Sequence, residues 1–322
     1  MSTDNPAVTV AIPAYKPQYL SEAIESVLRQ TFQDFEIVVV NDGSPNTPAL
    51  ESIVESYPRV RYIYQENAGG AAARNRAVKD ARAPLILNLD DDDLLAPSCL
   101  ESQVTFMREN PDVDVRYVNS VYFGSTEWEG TCWMDHYPSE GEVSFLSVLE
   151  GRTAPANPGA IIRRRTLLRV GLYDPSVDSW DDFDLWLRII KAGGRIAYTR
   201  TVLVHYRRHS ANVSLQSIYF LEQGLRVLSK ITSTLDLAVD ERLAIDRRER
   251  ETRLELERLR GKAALQRRDW RAAREHFEYC RVHGATAKLR FVLMILPLWP
   301  GIVARAMTLR DDFWRLTGRR RP

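Results

Sequence analysis

Four consecutive carboxylates, Asp90-Asp91-Asp92-Asp93, follow the apolar run Leu85–Leu89 and precede a helix expected to start near Pro97. Carboxylates this close repel one another unless a cation or protons hold them together. Oxygen ligands select hard divalent ions such as Mg²⁺ or Mn²⁺, which keep coordination positions open for substrate phosphate. The alternative is a solvated acidic turn that caps the next helix. Placement at the end of an apolar strand favours the metal.

Other chemistry-bearing residues are scattered along the chain. Asp42, in Asn41-Asp42-Gly43-Ser44, can accept hydrogen bonds from a base imide or a ribose hydroxyl, and Tyr15, beside Pro13, can stack on a base. Asn67-Ala68-Gly69-Gly70 allows close backbone approach before a helix, with Arg74 one turn inside it. Such an arginine can reach base or phosphate. Ordinary turns and a glycine cap would read the same way in isolation. In Trp180-Asp181-Asp182-Phe183-Asp184, paired acids open a helix, where its field favours them. One of the pair can serve as a general base, the competing role being a helix cap. Finally, strand alternation places His205, Arg207 and His209 on one face. That face can offer imidazole to a metal and guanidinium to a diphosphate.

The elements that must position these groups follow from hydrophobic pattern. Val8–Ile12, Ile37–Val40, Val60–Gln65 and Leu85–Leu89 read as strands, and helical patterns separate them. Alternation of this kind predicts an α/β fold with a mostly parallel sheet flanked by helices. Ligands of such sheets bind beyond the carboxyl ends of the strands. Pro13–Tyr15, Asn41–Asp42 and Asp90–Asp93 all lie at those ends, so the three segments are expected to converge. Further on, Trp180–Ala192 has helical spacing, while Arg195–Thr199 and Thr201–Tyr206 read as two short strands.

Composition sets outer bounds. The chain has 322 residues, 44% hydrophobic and 27% charged, which permits about two domains and excludes global disorder. Net charge is +1, with no whole-chain signature of nucleic-acid binding. That total hides an asymmetry. Residues 240–322 hold 21 Lys/Arg against 12 Asp/Glu, net +9, and the preceding 239 residues hold 23 against 31, net −8. Three unevenly spaced cysteines, Cys99, Cys132 and Cys280, argue against a disulfide scaffold and against a zinc knuckle. No basic-plus-apolar leader and no run of ~20 apolar residues is present, so a cytoplasmic location is expected.

Taken together, VAIPAY at 10–15, VVVNDGS at 38–44, NAGGAAARN at 67–75, LDDDD at 89–93, WDDFDLWLR at 180–188 and YRRHSANVS at 206–214 resemble the family 2 glycosyltransferases. These are inverting enzymes with the GT-A fold, and the six segments occur in the family's order. The resemblance covers about residues 7–215 and implies roles residue by residue. Asp42 matches the aspartate that binds the uracil ring, with Pro13 and Tyr15 lining the base pocket. Arg74 matches the base-proximal arginine, and Asn67 and Asp91 join the nucleotide-binding set. Asp90 and Asp92 match the ends of the DxD motif, the first near ribose and both in the metal set. Asp182 matches the expected catalytic base; Asp181 stands where the family carries Glu and is the other candidate. Arg207 and His209 match a motif that contacts diphosphate or metal in some members. The implied cofactor is Mn²⁺ or Mg²⁺, the implied donor a UDP-sugar, and the implied acceptor a glycan or lipid-linked hydroxyl.

The expected domains are residues 1–215, the transferase, and 216–322, a helical region. Within the latter, residues 261–283 resemble a tetratricopeptide-type hairpin, and about 289–322 form an apolar and basic tail. Such a tail suits peripheral attachment to the inner face of a membrane; packing on the protein itself or in a homodimer is the other option. Two rival functions remain open. A nucleotidyltransferase would need a glycine- and lysine-rich loop, yet Pro13–Pro17 offers only Lys16. A non-catalytic scaffold would not need the intact Asp42, Asp92 and Asp182.

Overall fold

The computed structural model describes residues 5–124, 128–209 and 217–284. The chain divides into two compact units, residues 1–209 and 210–322. The expected domain boundary at 215/216 and the apolar and basic tail both lie outside the described residues.

The first unit opens with β1 (Val8–Ala14), α1 (Leu20–Leu28), β2 (Phe35–Asp42), α2 (Thr47–Glu55), β3 (Val60–Gln65), α3 (Gly70–Asp80) and β4 (Leu85–Asn88). It continues through β5 (Leu94–Leu95), α4 (Cys99–Glu109), β6 (Val115–Phe123), α5 (Trp133–His136) and α6 (Phe145–Leu149). It ends with β7 (Ile161–Arg163), α7 (Arg164–Arg169), α8 (Asp181–Lys191) and β8 (Ile196–Arg207). One eight-stranded sheet runs in the order β3-β2-β1-β4-β7-β6-β8-β5. β3, β2, β1 and β4 are mutually parallel, as are β6 and β8, whereas β7 and β5 pair antiparallel.

Sequence dictates these elements locally. Ile37–Val40 is β-branched throughout and every residue is fully buried, as suits a strand covered on both faces. On α1, Leu20, Ile24 and Val27 recur at helical spacing and are fully buried, giving the helix one apolar face. Val10, Ile12, Leu20, Ile24, Ile37, Leu87, Leu100 and Val104 belong to one core that joins β1, β2 and β4 to α1 and α4. Each such side chain stabilises the fold by about 1.5–3 kcal/mol relative to exposure.

Register carries the site. Ala14 pairs with Asn41 and Asp42 with Gln65, so the carboxyl ends of β1, β2 and β3 finish level. The expected pair of short strands at 195–206 is instead the single twelve-residue β8. Register shifts against β6 near Asn119 absorb the Thr199–Thr201 irregularity that suggested a break.

The second unit contains α9 (Ser217–Thr234), α10 (Val239–Gln266) and α11 (Trp270–Gly284). α10 and α11 meet across a three-residue turn, and Gly261 faces Phe277 so closely that an added Cβ would lie 2.6 Å from its ring. The helix preceding the turn is 28 residues long, far longer than one arm of a repeat hairpin. Among the described residues no helix is long and apolar enough to cross a membrane.

Candidate active site

The β2–α2 turn and the β3–α3 loop interlock around Asp42. Asp42 is 5% exposed. Its Oδ1 accepts from Gln65 Nε2 at 2.7 Å and Ala68 N at 2.9 Å, and its Oδ2 accepts from Gly69 N at 2.8 Å. Asn67 Nδ2 donates to the Asp42 carbonyl at 2.9 Å. Asn67 therefore ties its loop to β2. Gly43 makes the close approach possible: its φ is +63°, and a Cβ there would sit 2.4 Å from Asn67 N. Pro13 forms part of the end of β1, and Tyr15 is 43% exposed just beyond it.

The aspartate run lies past the end of β4, and each member has a different partner. Asp90 Oδ1 accepts from Arg74 Nη2 at 2.7 Å. Asp91 Oδ2 accepts the amides of Tyr15 at 3.1 Å and Lys16 at 3.4 Å, bracing the β1 loop. Asp92 Oδ2 lies 3.0 Å from His209 Nε2. Asp93, 1% exposed, accepts from Arg207 N at 2.7 Å through Oδ1, and its buried Oδ2 has no hydrogen-bond partner. Burial and mutual repulsion push these acids upward. The Asp91 carboxyl rises to about 7, chiefly through burial and then the charge of Asp92. Asp92 is raised by burial and Asp90 despite His209, and Asp93 is raised well above the usual range by burial, Asp92 and Asp90.

The second acid pair begins α8. Trp180, immediately before it, has φ +67°, a left-handed conformation costly for a bulky residue. Asp181 Oδ2 accepts from Arg74 Nη1 at 2.9 Å. One guanidinium thus joins the aspartate run to the α8 acids. The Arg74 side chain is only 13% exposed; burial opposes its charge, but Asp90 and Asp181 outweigh that and raise its pKa. Burial also raises Asp181, against the opposing charge of Arg74. Among the described residues Asp182 has no ion pair to match. Its Oδ1 accepts the Phe183 amide at 2.7 Å, and burial with the charge of Asp181 lifts it to about 7. Asp184, the third acid of the motif, is buried and ion-paired with Arg188 at 2.8 Å, a contact within the helix.

Arg207 is placed as a strut. Its Nε donates to the Asp92 carbonyl at 2.8 Å and its Nη2 pairs with Glu22 at 2.8 Å. The guanidinium sits between the rings of Tyr19 and Phe123, at 4.1 Å and 4.3 Å from their centroids. Glu22 and Tyr19 carried no sequence signal for this role, since they approach only when α1 and β8 are assembled. Tyr173 was equally silent. Its hydroxyl joins Asn88 and Asn157 at 2.8 Å and 3.0 Å, its backbone is bonded to Asn75, and the Arg74 guanidinium lies 5.7 Å from its ring. The aromatic density of the 128–137 stretch was the one visible clue to a further cluster. There Tyr122 approaches Trp128, His136 and Tyr206 within 5.3–5.8 Å.

The acids offer the oxygen ligands that a hard cation takes. Asp90, Asp92 and His209 come from two segments that meet at one corner, and the buried Asp93 Oδ2 lacks a donor. Among the described residues no group of three or more acids, histidines or cysteines is placed to hold a metal ion. An open site of one or two carboxylates, completed by substrate phosphate, is how Mg²⁺ is ordinarily held in phosphoryl enzymes.

A mostly parallel sheet with carboxylates collected past its strand ends is the arrangement expected of a GT-A-type fold. The glycosyl transferase family 2 model matches residues 9–168. An uncharacterized glycosyltransferase of Methanocaldococcus jannaschii is 31% identical over 214 residues, covering 63% of this chain and 71% of that protein. The chain belongs to glycosyl transferase family 2. A Rickettsia bellii glycosyltransferase is 28% identical over 221 residues, 65% of this chain; the chain spans only 31% of that longer protein. In overall fold the chain is similar to Staphylococcus aureus TarS 1–349 in complex with UDP-GlcNAc, with TM-score 0.64, 18% identity, and coverage of 95% and 92% of the two chains. It is also similar to the mannosyltransferase PcManGT of Pyrobaculum calidifontis in complex with GDP-Man and Mn²⁺, with TM-score 0.58, 16% identity, and coverage of 96% and 88%.

Proposed function

We propose that this protein transfers a sugar from a nucleoside-diphosphate donor, a UDP-sugar, to a hydroxyl of a glycan or lipid-linked acceptor, with inversion at the anomeric carbon. The observation that carries this reading is the pair of acid groups at one sheet end, joined by Arg74 yet in different electrostatic states. Asp181 is compensated by the guanidinium. Asp182 feels the same guanidinium only at a distance, which offsets burial and the charge of Asp181 in part, and its pKa of about 7 suits a base working near neutrality.

In this assignment Asp182 takes the acceptor hydroxyl proton as the acceptor oxygen bonds to the anomeric carbon. The bond from that carbon to the diphosphate oxygen breaks, and the electron pair leaves with the nucleoside diphosphate. A single displacement from the opposite face inverts configuration and needs no enzyme nucleophile. Asp90, Asp92 and His209 would hold Mn²⁺ or Mg²⁺, which when bound neutralises charge on the diphosphate. Asp42 receives the base against Tyr15 and Pro13, exchanging the Ala68 and Gly69 amides for donors of the ligand. Asn67, Asp91 and Arg207 hold the loops that form this pocket.

Turnover across a panel of nucleotide sugars with Mn²⁺, read by release of nucleoside diphosphate and by the anomeric configuration of the product, tests the reading. Retained turnover in both Asp92→Ala and Asp182→Asn would refute the site.

A further inference from the structure

At the other end of the same sheet lies a second concentration of charge, of opposite sign. A cavity of about 380 Å³ is lined by Asn5, Arg82, Ala83, Pro84, Leu168 and the consecutive arginines 163–165. Four of its lining residues are arginines and none is acidic. Topology brings them together: Leu85 pairs with Arg163 in the β4/β7 ladder, and Arg164 N donates to the Pro84 carbonyl at 2.9 Å. The cavity therefore sits where β4 begins, and the aspartate run sits where β4 ends.

Two of the arginines have structural work. Arg163 donates to the carbonyls of Met107, Asn110 and Val113 around the end of α4, and Arg164 to those of Val78 and Lys79 near the end of α3. Arg82 and Arg165 are exposed, and among the described residues only the backbone of Arg82 is held, its amide donating to Glu36. Burial and the like charge of Arg165 lower the pKa of Arg163, with Asp114 in partial opposition. An anion in the cavity would relieve that repulsion. The rim is amphipathic. Arg165, Leu168 and Arg169 fall at i, i+3 and i+4 on α7, one face of the helix. Leu168 is 45% exposed, and the Arg169 side chain, 52% exposed, is ion-paired with Asp114 at 3.7 Å. Cations beside an outward apolar side chain are the chemistry of a lipid–water interface.

We propose that this cavity is a binding site for the phosphodiester headgroup of an acidic lipid, with Leu168 directed at the acyl boundary. The site is independent of the transferase assignment, so either can fail alone.

The test uses the full chain with metal chelated, so that the acidic corner stays anion-repelling. Flotation compares phosphatidylglycerol-containing vesicles with pure phosphatidylcholine for the wild type, Arg82→Ala/Arg165→Ala and Arg82→Glu/Arg165→Glu. The C-terminal tail is common to all three. The alanine pair is expected to weaken binding to acidic vesicles by roughly tenfold or more, since each cation near such a surface contributes substantially. The glutamate pair is expected to weaken it further, with circular dichroism melts unchanged and, in a separate assay with Mn²⁺ restored, donor turnover unchanged. Calorimetry with inorganic phosphate and with glycerophosphoglycerol separates the anion sources. Equal vesicle binding by all three proteins overturns the proposal. So does binding of inorganic phosphate without vesicle binding, which would make the site one for a soluble anion.

Discussion

Arg74 Nη1 lies 2.9 Å from Asp181 Oδ2, a contact spanning 107 residues of sequence, while its Nη2 holds Asp90 at 2.7 Å. The guanidinium fork is what lets one residue serve two carboxylates at once. It also treats the neighbouring acids differently: Asp181 is held in direct contact, whereas Asp182, the base in the proposed assignment, feels the guanidinium only through space.

Substitution of Asp182 by Asn is expected to lower kcat by about 10²–10⁴-fold, the usual worth of a general base. Donor affinity should be unchanged, because Asp182 is assigned to the acceptor side. Asp181→Asn should affect kcat less and loosen Arg74. Steady-state rates alongside equilibrium binding of the donor would show the split; weakened donor binding in Asp182→Asn would contradict it.

The pH profile follows from the same residue. Asp182 is held at about 7, so its basic form is the minority below neutrality. With metal and donor saturating, kcat should rise with pH and level off above about 7. A rate that falls across that interval would assign the base elsewhere.

Folding stability should respond in the opposite sense. Asp91 and Asp182 each bind a proton more tightly in the folded chain, at about 7, than at their ordinary value of 3.8. Between those values the native state holds more protons than the unfolded chain, so these groups make stability decline as pH rises through that window. Above about 7 the loss is complete. Urea titrations of metal-free protein across this range would read it, and saturating Mn²⁺ should flatten the slope by compensating the charge.

Removing the Arg74 bridge is costly. Arg74→Met strands Asp90 and Asp181 and should destabilise the fold by about 3 kcal/mol, the low end for a broken buried pair because Asp90 is 30% exposed. Arg74→Lys offers one point charge and should recover only part of this. Denaturant midpoints at fixed pH would rank the three proteins.

Gly43→Ala tests the interlocked loops around Asp42. The left-handed backbone costs a non-glycine residue about 1–3 kcal/mol, and the new methyl meets backbone 2.4 Å away. Nucleotide binding should fall with stability, measurable by calorimetry with UDP and by thermal unfolding.

Much of this was legible in the chain itself. The β-branched run Ile37–Val40 and its stop at Asn41-Asp42-Gly43 placed Asp42 at a strand end, and the parallel pattern then required convergence with Asp90–Asp93. What stayed hidden was long-range partnership. Arg207 read as a free cation on a strand face, yet Glu22 and the Asp92 carbonyl take it. Asp93 read as one more acid of the run, although the Arg207 amide fixes it in the interior. Tyr173 and Asn88 join Asn75, the last residue of the 67–75 segment, in a buried hydrogen-bonded group, and neither Tyr173 nor Asn88 belongs to a local pattern. Continuity of β8 through Thr199–Thr201 was invisible for a similar reason: the bulge against β6 is a property of the pair of strands.

The short strand β4 separates four arginines at its start from four aspartates past its end. That arrangement puts groups of opposite charge type at the two ends of one strand. A negatively charged boundary would favour the arginine end over the aspartate end. That preference should fade as added salt shortens the Debye length.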